Sequence, residues 1–273
     1  MMGPEYVVPK TQTLNIRVSQ RDIDVQISEG GSGKSNLIYI HGFNGFEEWP
    51  SFLDEFEEHF RIYVPSHPGI SNSTGLDKLD DLWDLVLFYE ELINELNIDK
   101  TVVIGHSYGG MVAAELAAQL RDRISKLILV DSLGLWLDKH PIPDIFMLTP
   151  SELHKMSWFN PNSNIAQDYQ NSFYNDLNKE ETNLERTKTL MAIGKFCWPI
   201  PDKGLEKRIH RINAPTLLVW GENDQIVPPE YGHAFQQQIN GSTLSIIKES
   251  GHIPHEECKP IFIETIQNFL IGE

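Results

Sequence analysis

The chain has 273 residues, 40% of them hydrophobic and 22% charged, and 39 acidic against 22 basic side chains leave a formal net charge of −17. That composition excludes a disordered chain, a collagen-like chain and a coiled coil, and such an acidic surface repels nucleic acid and anionic membrane. No apolar run approaches about 18 residues, which rules out a membrane span, and residues 1–20 hold no basic start followed by an apolar run, so no secretory signal is expected. Two cysteines, Cys197 and Cys258, are too few for a disulfide framework; they are expected to pack as small hydrophobes in a cytoplasmic protein.

The elements follow in chain order. Residues 23–27 (IDVQI) alternate as a half-buried strand does, and 37–40 (LIYI) and 61–64 (RIYV) are short apolar runs ending at His41-Gly42 and Pro65. Leu79, Leu82, Trp83, Val86, Tyr89, Ile93 and Leu96 recur at helical spacing. Strand 101–104 (TVVI), helix 111–120 (MVAAELAAQL) and strand 127–130 (LILV) come next. Strands 216–220 (TLLVW) and 244–247 (LSII) and helices 230–239 and 260–271 complete the pattern. Short apolar runs alternating with amphipathic helices predict an α/β fold with a mostly parallel central sheet flanked by helices. Residues 132–210 break the rhythm. They contain no strand-like run and scatter Trp136, Phe146, Trp158, Phe159, Tyr169, Phe173, Tyr174, Phe196 and Trp198 among polar residues. The expected division is a core of 1–131 and 211–273, with 132–210 as a cap of short helices over a site.

Gly30-Gly31-Ser32-Gly33-Lys34-Ser35 has the flavour of a phosphate loop, but the first glycine of that motif falls at Ser28 and the glycines precede a strand rather than a helix. A hairpin turn between Ile27 and Leu37 is the expected structure.

The chemistry is carried by Gly105-His106-Ser107-Tyr108-Gly109, set between strand 101–104 and helix 111–120. A nucleophile on a sharp strand-to-helix turn needs strained dihedrals, small neighbours where strand and helix approach, and a helix N-terminus aimed at the reacting centre. A serine hydroxyl also needs a base oriented by a carboxylate. Asp224 follows strand 216–220 and His252 follows strand 244–247, so Ser107, Asp224 and His252 all lie just past carboxyl ends of strands, where ligands bind in a parallel sheet. Backbone N–H groups of Phe43, after strand 37–40, and of Tyr108 would form an oxyanion hole. Asp131, after strand 127–130, competes with Asp224 for the role of acid. His41, His106 and His255 are read as structural, His255 at the surface or at a helix start, and the Tyr108 ring is a candidate to line a pocket.

These residues resemble the α/β-hydrolase superfamily through His41-Gly42, Gly105-x-Ser107-x-Gly109, Gly221-x-x-Asp224 and Gly251-His252, from about Ile23 to the C-terminus. The run Gly251-His252-Ile253-Pro254-His255-Glu256 is similar to the esterase, carbon–carbon hydrolase and haloperoxidase-like branch. Where the family often has Pro-Gly-x-Gly-x-Ser, this chain has Pro68-Gly69-Ile70-Ser71-Asn72-Ser73. The resemblance implies a capped serine hydrolase of a small, neutral-to-hydrophobic carboxylic ester, with no metal or organic cofactor. Dehalogenases and epoxide hydrolases of this fold carry Asp where Ser107 stands. The alternatives are hydrolysis of a carbon–carbon bond in a vinylogous diketone, favoured by a pocket arginine such as Arg186 or Arg208, and a small-ligand receptor that retains the triad.

Overall fold

In the computed structural model the described residues are 10–18, 21–45, 49–172, 179–200 and 202–272. The first half runs β1 (Lys10–Val18), β2 (Arg21–Gly30), β3 (Ser35–Ile40), β4 (Phe60–Pro65), α1 (Leu82–Glu95), β5 (Thr101–His106), α2 (Tyr108–Gln119) and β6 (Ile124–Val130). Helices α3 (Pro150–Ser157), α4 (Asn164–Ser172) and α5 (Lys179–Cys197) follow. The chain closes with β7 (Thr216–Gly221), α6 (Glu230–Gln238), β8 (Thr243–Ile247), α7 (Pro254–Glu257) and α8 (Lys259–Leu270).

All eight described strands join one sheet in the order β1-β2-β4-β3-β5-β6-β7-β8. The pairs β1–β2 and β2–β4 are antiparallel, and every pair from β4 through β8 is parallel. The sheet is thus mostly parallel, as the sequence pattern predicts. Alternation along each strand feeds two cores. Ile38, Ile40, Val103, Leu129, Leu218 and Trp220 face one side, with Leu85, Val86, Phe88 and Tyr89 of α1, much of α2, and Tyr231 and Phe235 of α6. Leu37, Tyr39, Val102, Ile104, Ile128, Val130, Leu217 and Val219 face the other, with Phe52, Leu53 and Phe56 of a 3-10 turn and Phe262, Ile266 and Leu270 of α8. Side chains so fully buried stabilise by roughly 1.5–3 kcal/mol each.

Three local differences have physical reasons. Strand β1 is additional to the expected set; it is an edge strand on which, among the residues whose burial is described, only Ile16 is fully buried, so its apolar signal is weak. Helix α1 begins at Leu82 rather than Leu79, because the Asp81 side chain accepts the Trp83 and Asp84 N–H groups at 2.8 and 3.0 Å and caps the helix there. The expected hairpin between Ile27 and Leu37 does not form: β4 lies between β2 and β3. The connecting glycines cross the start of β4, where a Cβ on Gly31 would sit 2.1 Å from the Phe60 carbonyl oxygen and one on Gly33 1.9 Å from the His59 carbonyl carbon. Close backbone crossing, not phosphate binding, accounts for Gly31 and Gly33.

Between β6 and its parallel neighbour β7 the chain supplies α3, α4 and α5 and, among the described residues, no strand. Helix α3 starts on a reciprocal cap in which Thr149 and Glu152 satisfy each other's backbone N–H groups. Of the aromatics in this segment, Phe173 and Tyr174 lie outside the described residues, Trp158 and Phe196 are buried, and Phe159 and Trp198 are largely exposed. Near its end Arg208 forms a bidentate pair with the buried Glu115 of α2, at 2.7 and 2.6 Å. No described helix is long and apolar enough to cross a membrane.

Candidate active site

Ser107 sits between β5 and α2 with φ 54° and ψ −118°, a strained positive-φ conformation costing about 1–3 kcal/mol in a residue with a Cβ. Its surroundings enforce it. The Ser107 N–H donates to the Val130 carbonyl at 2.8 Å, and the Ser107 carbonyl accepts from Gly110 and Met111 as α2 begins and from Leu133 beyond β6. A Cβ on Gly109 would fall 2.1 Å from the Ile40 carbonyl oxygen, and one on Gly105 would fall 2.5 Å from that of Gly109. Strand and helix therefore approach more closely than any larger residue allows, as the turn motif requires.

Three side chains meet in a line. His252 Nε2 lies 2.8 Å from Ser107 Oγ, and His252 Nδ1 lies 2.7 Å from Asp224 Oδ2. All three are buried. A carboxylate only accepts, so Nδ1 carries the imidazole proton and Nε2 accepts from the serine hydroxyl. Asp224 Oδ1 in turn accepts from the Ile226 and Val227 N–H groups at 2.8 and 2.9 Å, which fixes the carboxylate in its loop. The Phe43 ring stacks on the imidazole at 5.4 Å and 19°. Such a line can draw the proton from Ser107 and stabilise the imidazolium that forms.

The loop after β3 closes against this line. A Cβ on Gly42 would meet Ser107 Cβ at 3.1 Å and His106 Nδ1 at 2.8 Å. Among the described residues, the Phe43 and Tyr108 N–H groups donate to no protein acceptor. Buried histidines hold the loop. The His67 Nε2–H donates to the His41 carbonyl at 3.0 Å, which leaves Nδ1 to accept from the Tyr89 hydroxyl at 2.6 Å. The His41 Nδ1–H donates to the Gly42 carbonyl, and His41 Nε2 accepts the His67 N–H. Both rings are neutral in this network. Burial brings His41 down to about 4 and His67 well below the ordinary histidine range, the latter helped by its neighbour His41. The His106 Nε2–H donates to the His252 carbonyl at 2.8 Å, so His106 braces the loop that carries His252.

His255, one of the two expected alternatives being a surface position, is instead buried at the start of α7 against Phe52, His106 and Phe262; burial lowers it to about 3. The Tyr108 ring is buried against His67. Cys197 is buried, its thiol pushed up to about 12 by desolvation, and Cys258 is half-buried. Ser71 adopts φ 52°, the backbone conformation a glycine would take at that place, and its hydroxyl donates to the Gln26 side chain at 3.0 Å. Residues the sequence left unmarked are His67, Tyr89 as its partner, and Glu257. The Glu257 carboxylate accepts the Gly251, Phe159 and Asn160 N–H groups at 2.7, 3.2 and 3.0 Å. The only cue to His67 was a histidine in a Pro-Gly turn after a strand, a common surface pattern.

A sheet of this order with a serine elbow at its centre defines a hydrolase: the chain matches the α/β hydrolase fold family over residues 36–258 and belongs to it. Over nearly its whole length it is similar to a 2-hydroxy-6-oxononadienedioate/2-hydroxy-6-oxononatrienedioate hydrolase of Klebsiella pneumoniae, 27% identical with 98% of each chain covered. Its fold is similar to that of an esterase from Exiguobacterium antarcticum, at TM-score 0.74 and 20% identity, covering 94% of this chain and 99% of that one. It is also similar to that of the 2-hydroxy-6-oxo-6-phenylhexa-2,4-dienoate hydrolase of Rhodococcus sp. strain RHA1, at TM-score 0.71 and 18% identity, covering 94% and 100%.

Proposed function

We propose that the protein is a serine hydrolase that cleaves a small, neutral-to-hydrophobic carboxylic ester through an acyl-enzyme. The observation that carries this reading is the hydrogen-bonded line Ser107–His252–Asp224. In the proposed reaction Ser107 Oγ attacks the ester carbonyl as its proton passes to His252 Nε2. The Phe43 and Tyr108 N–H groups hold the oxyanion, and Asp224 holds the imidazolium. The tetrahedral species collapses, the C–O bond to the alcohol breaks, and the Nε2 proton goes to the departing oxygen. A water deprotonated by the same nitrogen then attacks the acyl carbon and releases the acid and Ser107. Residues 132–210 serve in this reading as a cap that roofs the site with aromatic and apolar side chains.

Two features favour a neutral substrate. The net charge of −17 opposes a dianionic one. Arg208 is committed to Glu115. The second reading, carbon–carbon cleavage of a vinylogous diketone by the same residues, is favoured by the whole-length similarity to a hydrolase of a dienedioate. Parallel assays of p-nitrophenyl esters of graded chain length and of a dienoate meta-cleavage substrate decide between them. Esters turned over with kcat/KM at least 100-fold above the diketone support the first reading, and the reverse ratio the second.

A further inference from the structure

Strands β5 and β6 are neighbours, and each is followed directly by a residue other than glycine held at positive φ: Ser107 at 54° and Asp131 at 44°. Strain of this kind persists only where the surroundings impose it, and it gathers at working sites. Asp131 is fully buried. Its N–H donates to the Val219 carbonyl at 3.0 Å, and its Oδ1 accepts the Gly221 N–H at 2.9 Å, at the root of the loop that carries Asp224. Its Oδ2 is buried with no hydrogen-bond partner in the described structure. A carboxylate oxygen of Asp131 lies within 4.8 Å of an imidazole nitrogen of both His106 and His252. An asparagine, serine or glycine at the end of β6 would avoid the cost of a buried, half-satisfied carboxyl.

We propose that Asp131 is a second acid of the catalytic line: its protonated carboxyl positions the Asp224–His252 pair, and when the Asp224 carboxylate is removed Asp131 ionises and holds His252 in its place. This rests on the reading of Ser107, Asp224 and His252 given above. The groups facing Asp131 are Asp224 from the loop after β7, His252 from the loop after β8, His106 at the end of β5 and Glu257 of α7. Burial first, and then the charge of Asp224, holds the Asp131 carboxyl well above the usual carboxylate range. Loss of the Asp224 charge removes one of those two causes. A side-chain rotation then brings an Asp131 oxygen, already within 4.8 Å of an imidazole nitrogen of His252, to hydrogen-bond distance, with the released Asp131 proton passing to solvent.

The test compares wild type, Asp131→Asn, Asp224→Asn and the double variant. It measures p-nitrophenyl butyrate hydrolysis, the rate of Ser107 labelling by a fluorophosphonate, and the melting temperature of each. An asparagine at position 131 can donate as the protonated acid does, so Asp131→Asn is expected to lose only about three- to ten-fold in kcat. Asp224→Asn is expected to lose about 10³-fold and the double variant at least ten-fold more, towards the about 10⁴-fold typical of a triad without its acid. The surviving activity of Asp224→Asn should rise with pH along a limb absent from both wild type and the double variant, which a merely structural Asp131 would not produce. Equal rates and equal pH profiles for Asp224→Asn and the double variant, both folded, overturn the proposal. Wild type that hydrolyses the ester without labelling at Ser107 overturns the underlying reading instead, and the role of Asp131 with it.

Discussion

The main-chain N–H of His252 donates to the carbonyl of Ser157 at 2.8 Å, so the loop that carries the imidazole is pinned to the last turn of α3. The junction is tight: a Cβ on Gly251 would fall 2.5 Å from the same Ser157 oxygen. Glu257 completes it by accepting N–H groups from both sides, Gly251 on the histidine loop and Phe159 and Asn160 beyond α3. The segment between β6 and β7 and the position of His252 are therefore mechanically linked.

Glu257→Ala removes the acceptor of three N–H groups at once. A misplacement of about 1 Å in a catalytic group can cost 10²-fold, so kcat for an aryl ester is expected to fall about 10- to 100-fold. Amide exchange at Gly251, Phe159 and Asn160 should accelerate. Glu257→Gln, which keeps one acceptor oxygen, should recover part of both. Unchanged exchange and unchanged kcat in the alanine variant would mean that the His252–Ser157 bond holds the junction alone.

Serine-directed phosphonates are expected to modify Ser107 stoichiometrically and abolish ester hydrolysis, with Ser107→Ala inert to both. Peptide mass spectrometry locates the adduct. Modification at another residue, with activity lost, would displace Ser107 as the nucleophile.

Acid should weaken the fold through its buried histidines. An unfolded chain takes up a proton on His41 near pH 6.5, whereas the folded protein does so only near 4, because burial disfavours the charged ring. Above pH 6.5 neither state is protonated and the contribution is fully present. It is lost as pH falls from 6.5 towards 4, by about 3 kcal/mol in total, and levels off below. His255, at about 3, extends the loss further down. Urea unfolding at pH 7.5, 6, 5 and 4.5 measures this, and His41→Asn should give a shallower slope over the same range.

Arg208→Ala leaves Glu115, whose side chain is 1% exposed, as an uncompensated buried charge in α2. The expected cost is about 3 kcal/mol of stability, whereas replacing both partners with leucine should come within about 1 kcal/mol of wild type. Chemical denaturation of the two variants checks the contrast. An Arg208→Ala protein as stable as wild type would show that water reaches Glu115.

Much of this architecture was readable from periodicity. The runs LIYI, TVVI, LILV and TLLVW form strands because nearly every residue between two helical layers must be apolar, and that is a property of the sequence. The elbow was readable for the same kind of reason, since Gly105 and Gly109 record how closely helix and strand must pass. Strand β1 carried a signal too, with Leu14, Ile16 and Val18 alternating against Thr13, Asn15 and Arg17, but an edge strand exposes one face and the alternation reads as polar.

What only the tertiary structure decided is which distant groups share a volume. The glycine-rich link after β2 was open to a hairpin until β4 came between its two ends, because strand order depends on contacts far apart in the chain. His41, His67, His106, His252 and His255 are scattered over more than 200 residues, yet all are buried at or beyond the carboxyl ends of β3, β4, β5 and β8. Asp131 and Asp224 both follow strands at one edge, and position could not separate them. The Asp224 loop swings its carboxylate to 2.7 Å from His252 Nδ1, while Asp131 is turned by its left-handed backbone to bond Gly221. Periodicity reports whether a residue is buried; the partner of a buried polar group is set by the three-dimensional closure of loops that are remote in sequence.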